Sequence, residues 1–255
     1  MHIDLNCDMG EIPAQIADGT QETLMRSITS VNIACGGHAG NDDTMKTTIE
    51  QALRWNLTIG AHPGYPDRAN FGRLELQMPA EAVADAVFEQ VRALAKVAAS
   101  YRAQLVHVKP HGALYNQAVH KFELAEAIAN GVAKWSRDVV LLGLAGSPML
   151  DVFREAGFAV AAEAFADRRY EPDGTLRLRK FDDALIHDPA QAGRQALSIV
   201  ERGALIACDG TEIALHAQTI CIHGDTPGAP EIAAAVAHTL RQAGVALSAL
   251  SRPAS

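Results

Sequence analysis

The sequence predicts an α/β fold in which seven parallel strands alternate with helices and close into a distorted (β/α) barrel. Short apolar runs of strand type alternate with longer segments of helical periodicity along the chain. The GxGxxG and GxxxxGK[ST] signatures, which are common in open nucleotide-binding sheets, are both missing. Polar side chains gather where the strands end, as they do in barrels whose sites lie at the carboxyl face.

The strands are predicted from apolar runs of roughly 4–8 residues. These runs cover residues 2–7, 29–34, 57–61, 104–109, 139–143, 158–163 and 218–223. A crossover helix is expected after each strand, because parallel neighbours cannot be joined by a tight turn.

Helical periodicity places helices over residues 21–27, 42–55, 79–101, 121–135, 147–156, 189–202 and 229–243. The pattern is clearest over 79–101, where Val83, Val87 and Val91 recur at four-residue intervals on one apolar stripe. Pro79 suits the first helical position.

We expect one domain over residues 1–255, since a chain of this length can bury one substantial core. Two insertions interrupt the β/α alternation. Residues 164–188 form a long polar segment, and residues 205–218 predict an extra hairpin that turns at Asp209 and Gly210.

Composition excludes several classes of protein. A net charge of −8 argues against a general nucleic-acid binder. The four cysteines are scattered without a CxxC pair, which fits a reducing compartment. No window is apolar for the length of a membrane span. We therefore expect a soluble, cytoplasmic protein with neither membrane nor nucleic acid as its partner.

The candidate site residues follow six of the seven predicted strands at their carboxyl ends. In chain order they are Asn6 and Asp8, then Asn32 and His38, His62, the trio His107, Lys109 and His111, then Glu163 and Asp167, and finally His223 and Asp225. Because the carboxyl ends of parallel strands meet at one end of a barrel, these side chains should converge. Simpler interpretations remain: Asp8 to Glu11 could cap a helix, and His38 could be an ordinary loop histidine.

The stretch HVKPHGALYN at 107–116 carries the densest group of polar residues. An extended chain puts His107, Lys109 and His111 on one face. A buried ammonium is costly without a partner, so Lys109 should pair either with a carboxylate such as Asp8 or Glu163, or with an anionic substrate.

Two further features predict ligand contacts. Arg168 and Arg169 in the segment DRRY could fork a carboxylate or phosphate, while an outward-pointing arginine would only form a solvated basic turn. A metal centre is the alternative, since Asp8, His38 and His62 would suit Zn²⁺ or Mn²⁺. Lys109, however, is a poor neighbour for a cation, and no HExxH motif fixes two ligands on one helix.

The motifs DLNCDMGE, SVNIACGGHAG, IGAHPGYPD, HVKPHGALYN, EAFADRRY and ICIHGDTPGA occur in this order. Together they resemble the LamB/YcsF family over roughly residues 3–245. The resemblance implies a barrel of the glycoside hydrolase/deacetylase kind and the role of the A subunit in an ATP-dependent 5-oxoprolinase. That enzyme converts 5-oxo-L-proline, ATP and water into L-glutamate, ADP and phosphate, with subunits B and C as partners. Gly37 and Asn41 depart from the family's usual Phe and Asp.

For this reaction we expect Asp8, with His62 or His111, to be the general base, and Lys109 and Arg168 or Arg169 to hold anionic groups. His38, Glu163 and Asp225 would orient these groups or bind Mg²⁺ carried with ATP, and Asn6, Asp167 and His223 complete the predicted substrate site. Two alternatives remain open. The chain could be a stand-alone metal-dependent amidase or deacetylase, or a non-catalytic ligand-binding subunit of the complex.

Overall fold

The computed structural model describes residues 1–252 and contains a closed barrel of seven parallel strands. The strands of the chain are β1 (His2–Met9), β2 (Ser30–Ala34), β3 (Thr58–His62), β4 (Leu105–Val108), β5 (Val140–Leu144), β6 (Ala159–Phe165), β7 (Ala204–Ile206), β8 (Glu212–Ala214), β9 (Thr219–Ile222) and β10 (Ala246–Leu247). The barrel runs from β1 through β6 to β9 and closes where β9 pairs with β1. This confirms the predicted fold, and each of its seven strands lies within two residues of its predicted bounds.

The helices are α1 (Pro13–Ala17), α2 (Thr20–Met25), α3 (Asp42–Arg54), α4 (Ala80–Ser100), α5 (Gly112–Ala118), α6 (Phe122–Ala133), α7 (Met149–Glu155), α8 (Pro189–Arg202) and α9 (Ala229–Gln242). Two short helices, α1 and α5, were not predicted, because they have only five and seven residues and are too short to show a periodic stripe. None of these helices is long and apolar enough to cross a membrane.

The helices pack around the barrel through the stripes that the sequence shows. Val83, Val87 and Val91 of α4 are buried in the core cluster, as their spacing predicts. Asn41, one of the two departures from the family pattern, caps α3, because its side chain accepts hydrogen bonds from the backbone N–H groups of Asp43 and Thr44. This departure therefore keeps the capping function.

The interior face of β1 is polar. Asp4 accepts hydrogen bonds from Ser30 at 2.5 Å and from Thr219 at 2.5 Å, which lie on the two neighbouring strands. Asn6 and Asp8 share the parity of Asp4, and both are buried. Buried polar groups need partners, so this side of the barrel is built for a hydrogen-bond network rather than for apolar packing.

Two segments depart from the β/α alternation. Strand β6 continues to Phe165, so the irregular segment begins two residues later than the predicted residue 164. Within this segment two isolated bridges, Arg168 with Leu185 and Tyr170 with Leu176, hold the chain together over the barrel mouth. The predicted hairpin is present: β7 and β8 pair antiparallel, and Asp209 accepts from the Thr211 N–H at the turn.

Candidate active site

The centre of the site is a buried ion pair network between three strands. Lys109, just after β4, places its Nζ 3.0 Å from Asp8 Oδ1 of β1 and 2.9 Å from Glu163 Oε1 of β6. The three side chains are each 6 % exposed or less. Two kinds of partner were expected for Lys109, a carboxylate or an anionic substrate. In the structure Lys109 pairs with two carboxylates.

Charge determines the protonation states in this network. Burial alone would raise the pKa of Asp8, but His62 and Lys109 hold that pKa well below its usual range. Burial likewise opposes the charge of Lys109, and the Asp8 carboxylate outweighs it and raises the pKa of Lys109 well above its ordinary value. Asp8 is therefore an ionised carboxylate at neutral pH.

Beneath this network lies a layer of amides. Asn32 donates hydrogen bonds to Asp8 Oδ1 at 2.8 Å and to Asn6 Oδ1 at 2.7 Å. Asn6 in turn donates a hydrogen bond to Glu163 Oε1 at 3.0 Å. His107 Nε2 lies 2.7 Å from Asn32 Oδ1, and burial lowers its pKa to about 3. Asn6, Asn32 and His107 therefore hold the charged residues in place from below.

A second group of acid and imidazole side chains lies next to Asp8. His62 Nε2 is 3.4 Å from Asp8 Oδ2 and 2.9 Å from His111 Nδ1. Glu11 Oε1 is 2.8 Å from His38 Nε2 and 3.2 Å from His111 Nδ1. The structure brings together three of the five predicted histidines at this edge, His38, His62 and His111, and adds a carboxylate, Glu11, that the sequence interpretation did not include in the site.

Protonation differs among these histidines. Burial lowers the pKa of His38 to about 4, and burial also lowers the pKa of His111. Burial opposes the charge of His62 as well, but the carboxylates of Asp8 and Glu11 outweigh it and raise the pKa of His62. His62 is thus the histidine most ready to exchange a proton with Asp8 near neutral pH.

The alternative interpretation, in which residues 8–11 cap a helix, is not what the structure shows. Helix α1 begins at Pro13 after Ile12, and no side chain caps it. Gly10 instead adopts a positive φ of 76°, which turns the chain after β1 so that Glu11 returns to the barrel mouth. His38 is likewise buried at 1 % exposure and is not an ordinary surface loop histidine.

The residues predicted after β6 and β9 form the rim. Asp167 accepts hydrogen bonds from the His223 N–H at 3.0 Å and from Thr226 Oγ1 at 2.9 Å, and its Oδ1 lies 2.9 Å from His223 Nδ1. Asp225 pairs with Arg73 and with Arg179, whose Nη1 lies 3.1 Å from its Oδ2. These two aspartates are occupied in holding loops and arginines at the mouth.

A cleft of about 310 Å³ opens over this arrangement. Its walls include Asp8, His62, Lys109, His111, Arg168 and His223 together with residues that the sequence interpretation missed, Arg73, Tyr115, Arg179 and Lys180. Most of the missed residues lie in long loops or on the unpredicted α5, so strand periodicity gives no signal for them.

The two adjacent arginines have different environments. Arg168 is 4 % exposed and lines the cleft, and within residues 1–252 its Nε has no hydrogen-bond partner. The Arg168 Nη2 donates a hydrogen bond to the Arg177 carbonyl at 2.6 Å. Burial lowers the pKa of the Arg168 guanidinium to about 10. Arg169 instead donates to the Cys208 carbonyl beside the β7–β8 hairpin and is not part of the cleft wall. Of the two arginines in the segment DRRY, Arg168 is therefore the one that lies in the cleft wall, and its binding of a substrate stays a prediction.

A closed parallel barrel with buried carboxylates, histidines and a lysine at its carboxyl face defines a (β/α)-barrel protein equipped for acid–base chemistry. More specifically, the chain belongs to the LamB/YcsF family, whose model matches residues 3–255. This finding confirms the family expected from the motifs.

Named relatives cover nearly the whole chain. A protein of Chloroflexus aggregans, named as the A subunit of 5-oxoprolinase, is 48% identical over 96% of this chain and 97% of its own length. A protein of the same name from Chloroflexus aurantiacus is 46% identical over 98% of this chain and 99% of its own. Among solved structures, the lactam utilization protein from Thermus thermophilus has a TM-score of 0.91 and 39% identity, covering 98% of this chain and 100% of that chain.

A more distant likeness concerns the fold alone. The family 4 carbohydrate esterase from Streptomyces lividans has a TM-score of 0.50 and 9% identity, over 100% of this chain and 97% of that chain. The two chains therefore share the barrel architecture.

Proposed function

We propose that this chain is the A subunit of a 5-oxoprolinase and opens the lactam ring of 5-oxo-L-proline. One feature of the cleft carries the proposal: the buried Arg168, which has no carboxylate within salt-bridge distance in residues 1–252, opens on the same cleft as the pair Asp8 and His62. A substrate with a carboxylate beside a hydrolysable amide needs both a cation and a base. The names of the relatives support the same substrate class.

Each residue then has a chemical role. Arg168 holds the substrate carboxylate through charge-assisted hydrogen bonds. Asp8 takes the proton of the attacking water and returns it to the ring nitrogen as the amine leaves, while His62, with its Nε2 3.4 Å from Asp8 Oδ2, helps to keep this carboxylate ionised. Lys109 keeps Asp8 ionised and fixed between β1 and β6.

The reaction requires ATP because a five-membered lactam is a planar, resonance-stabilised amide that water attacks slowly. Phosphorylation of the amide oxygen would make the ring carbon electrophilic. One water then opens the ring and leaves an acyl phosphate, and a second water releases the phosphate, so that 5-oxoproline, ATP and two water molecules give L-glutamate, ADP and phosphate. We assign the ATP step, with its Mg²⁺, to subunits B and C.

Reconstitution tests the proposal. The chain is combined with candidate B and C subunits, and glutamate and phosphate are measured as a function of 5-oxoproline and ATP. We expect glutamate only when all three subunits and ATP are present. If B and C form glutamate equally fast without this chain, the proposal is wrong. Lactam hydrolysis by the chain alone without ATP, abolished by a chelator, would favour the stand-alone amidase, for which the Glu11, His62 and His111 cluster is the supporting observation.

A further inference from the structure

We propose that this chain binds one divalent transition-metal ion of the zinc type through Glu11, His62 and His111. The inference stands on the geometry of these three side chains and does not depend on which reaction the cleft catalyses. It also differs from the ligand set that the sequence suggests, which contained Asp8, His38 and His62.

The three donor atoms form a small triangle. His111 Nδ1 lies 2.9 Å from His62 Nε2 and 3.2 Å from Glu11 Oε1, and His62 Nε2 lies 3.8 Å from Glu11 Oε1. An ion with bonds of about 2.0–2.1 Å holds tetrahedral ligand atoms roughly 3.4 Å apart, so the triangle has the required size. The rings of His62 and His111 are nearly perpendicular, at 89°, which lets both lone pairs point at one position.

Backbone carbonyls fix which ring nitrogens carry hydrogen. His62 Nδ1 lies 2.8 Å from the Lys109 carbonyl, and His111 Nε2 lies 2.9 Å from the Phe71 carbonyl. A carbonyl only accepts, so these two nitrogens must donate, and in neutral rings the inward nitrogens present lone pairs. Two lone pairs and a carboxylate therefore face one another, and a cation is needed between them: a metal ion or a shared proton.

The surroundings favour a metal ion. Each ligand is held by an outer partner: the Lys109 carbonyl for His62, the Phe71 carbonyl for His111, and His38 Nε2, at 2.8 Å, for Glu11. Such second partners orient metal ligands and set their tautomers. His62 and His111 also line the cleft, which leaves an open side for a non-protein ligand.

The charges around the cluster also favour a metal ion. The cluster contains the carboxylates of Asp8, Glu11 and Glu163, against the single ammonium of Lys109. Lys109 repels positive charge at His62, but it is shared between two of these carboxylates and is outnumbered by the three.

The orientation of the histidine rings also determines which residues can bind one ion together. His38 stacks on His111 with planes 3° apart and centroids 3.6 Å apart, so one ion cannot lie in both ring planes. His38 therefore serves as the hydrogen-bond donor to Glu11. Asp8 Oδ1 is occupied by Lys109 and Asn32, and Asp8 is not among the donor residues that cluster around Glu11.

Metal titration of the full chain tests the inference. Protein stripped with a chelator is titrated with Zn²⁺ and Co²⁺, and bound metal is measured by elemental analysis and by the visible absorption of Co²⁺. We expect one ion per chain. Glu11→Gln and His111→Gln should weaken binding by about 100-fold or more, and His38→Gln by about 10–100-fold as an outer partner. The exposed His238→Gln is the matched control and should bind as the wild type does, whereas His223→Gln tests the neighbouring donor group of Asp8, Cys221 and His223.

Two results would overturn the inference. One is no ion bound by the wild-type chain at excess Zn²⁺ and Co²⁺, which would leave a proton shared by His62 and His111. The other is binding that is lost in His223→Gln and kept in Glu11→Gln. Circular dichroism of the metal-free variants checks that each is folded. If a variant is not, the wild-type stoichiometry and Co²⁺ spectrum still decide the question.

Discussion

Lys109 and Asp8 form an ion pair inside the barrel, with Nζ 3.0 Å from Oδ1. The same ammonium lies 2.9 Å from Glu163 Oε1, so one cation serves two buried carboxylates that come from β1 and β6, the two strands that flank β9. Breaking a buried pair by removing one partner leaves an uncompensated charge. The stability of the barrel should therefore depend on Lys109.

Lys109→Met should lower the free energy of unfolding by about 3–5 kcal/mol, because two carboxylates lose their counter-ion. Denaturant unfolding measures this change. Lys134→Met is the matched control: its pair with Asp85 has side chains 43% and 62% exposed and should matter little. The double variant Lys109→Met/Glu163→Gln should lose less than the sum of the two single variants. Additive losses would show that the pair is not coupled.

Arg168→Gln should raise the KM for 5-oxoproline in the reconstituted enzyme by about 10–100-fold. A hydrogen bond to a charged group contributes about 1.5–3 kcal/mol, which corresponds to this range. The neighbouring Arg169→Gln should leave KM unchanged, because that guanidinium binds the Cys208 carbonyl. Equal effects of the two substitutions on KM would refute the assignment of the substrate carboxylate to Arg168.

His107 should make the protein sensitive to acid. Burial lowers its pKa from 6.5 to about 3, so below about pH 6.5 the unfolded chain binds a proton that the folded chain does not. The stabilisation from neutral His107 is complete above that pH and is lost as the pH falls toward 3. One such group adds a slope of up to about 1.4 kcal/mol per pH unit.

Unfolding free energies measured across this pH range test the effect. His107→Gln should flatten the slope between about pH 6.5 and 4. The exposed His238→Gln should leave the slope as it is in the wild type. An unchanged slope in His107→Gln would assign the acid sensitivity to other groups, of which His38 is the first candidate, since burial lowers its pKa to about 4.

Much of the site could be predicted from strand parity. Alternation along β1 puts Asn6 and Asp8 inside the barrel, and the carboxyl ends of β4 and β6 bring Lys109 and Glu163 to the same place. Because parity is a local property and the barrel closes with a fixed register, these contacts between distant residues follow from the pattern.

Glu11 could not be predicted in this way. It lies beyond the end of β1, and its position depends on the turn at Gly10 and on contacts with three histidines from other β/α units. The arginines at the rim pose the same difficulty, since Arg73 and Arg179 come from long loops whose paths are set by tertiary contacts with Asp225. The motif DLNCDMGE, with glycine directly after a strand, was the available signal for a turn that returns the chain to the mouth.

The most direct test of the proposed chemistry is the rate of glutamate formation by a reconstituted complex that contains Asp8→Asn. The amide oxygen can still accept from Asn32 and Lys109, and Lys109 keeps Glu163 as its counter-ion, so the fold should persist. Without a base, we expect glutamate formation to fall by about 10²–10⁴-fold. Asp85→Asn, on the exposed face of α4, is the control and should match the wild type. A rate in Asp8→Asn equal to that of the control would contradict the assignment of Asp8 as the base and, with it, the catalytic role of this cleft.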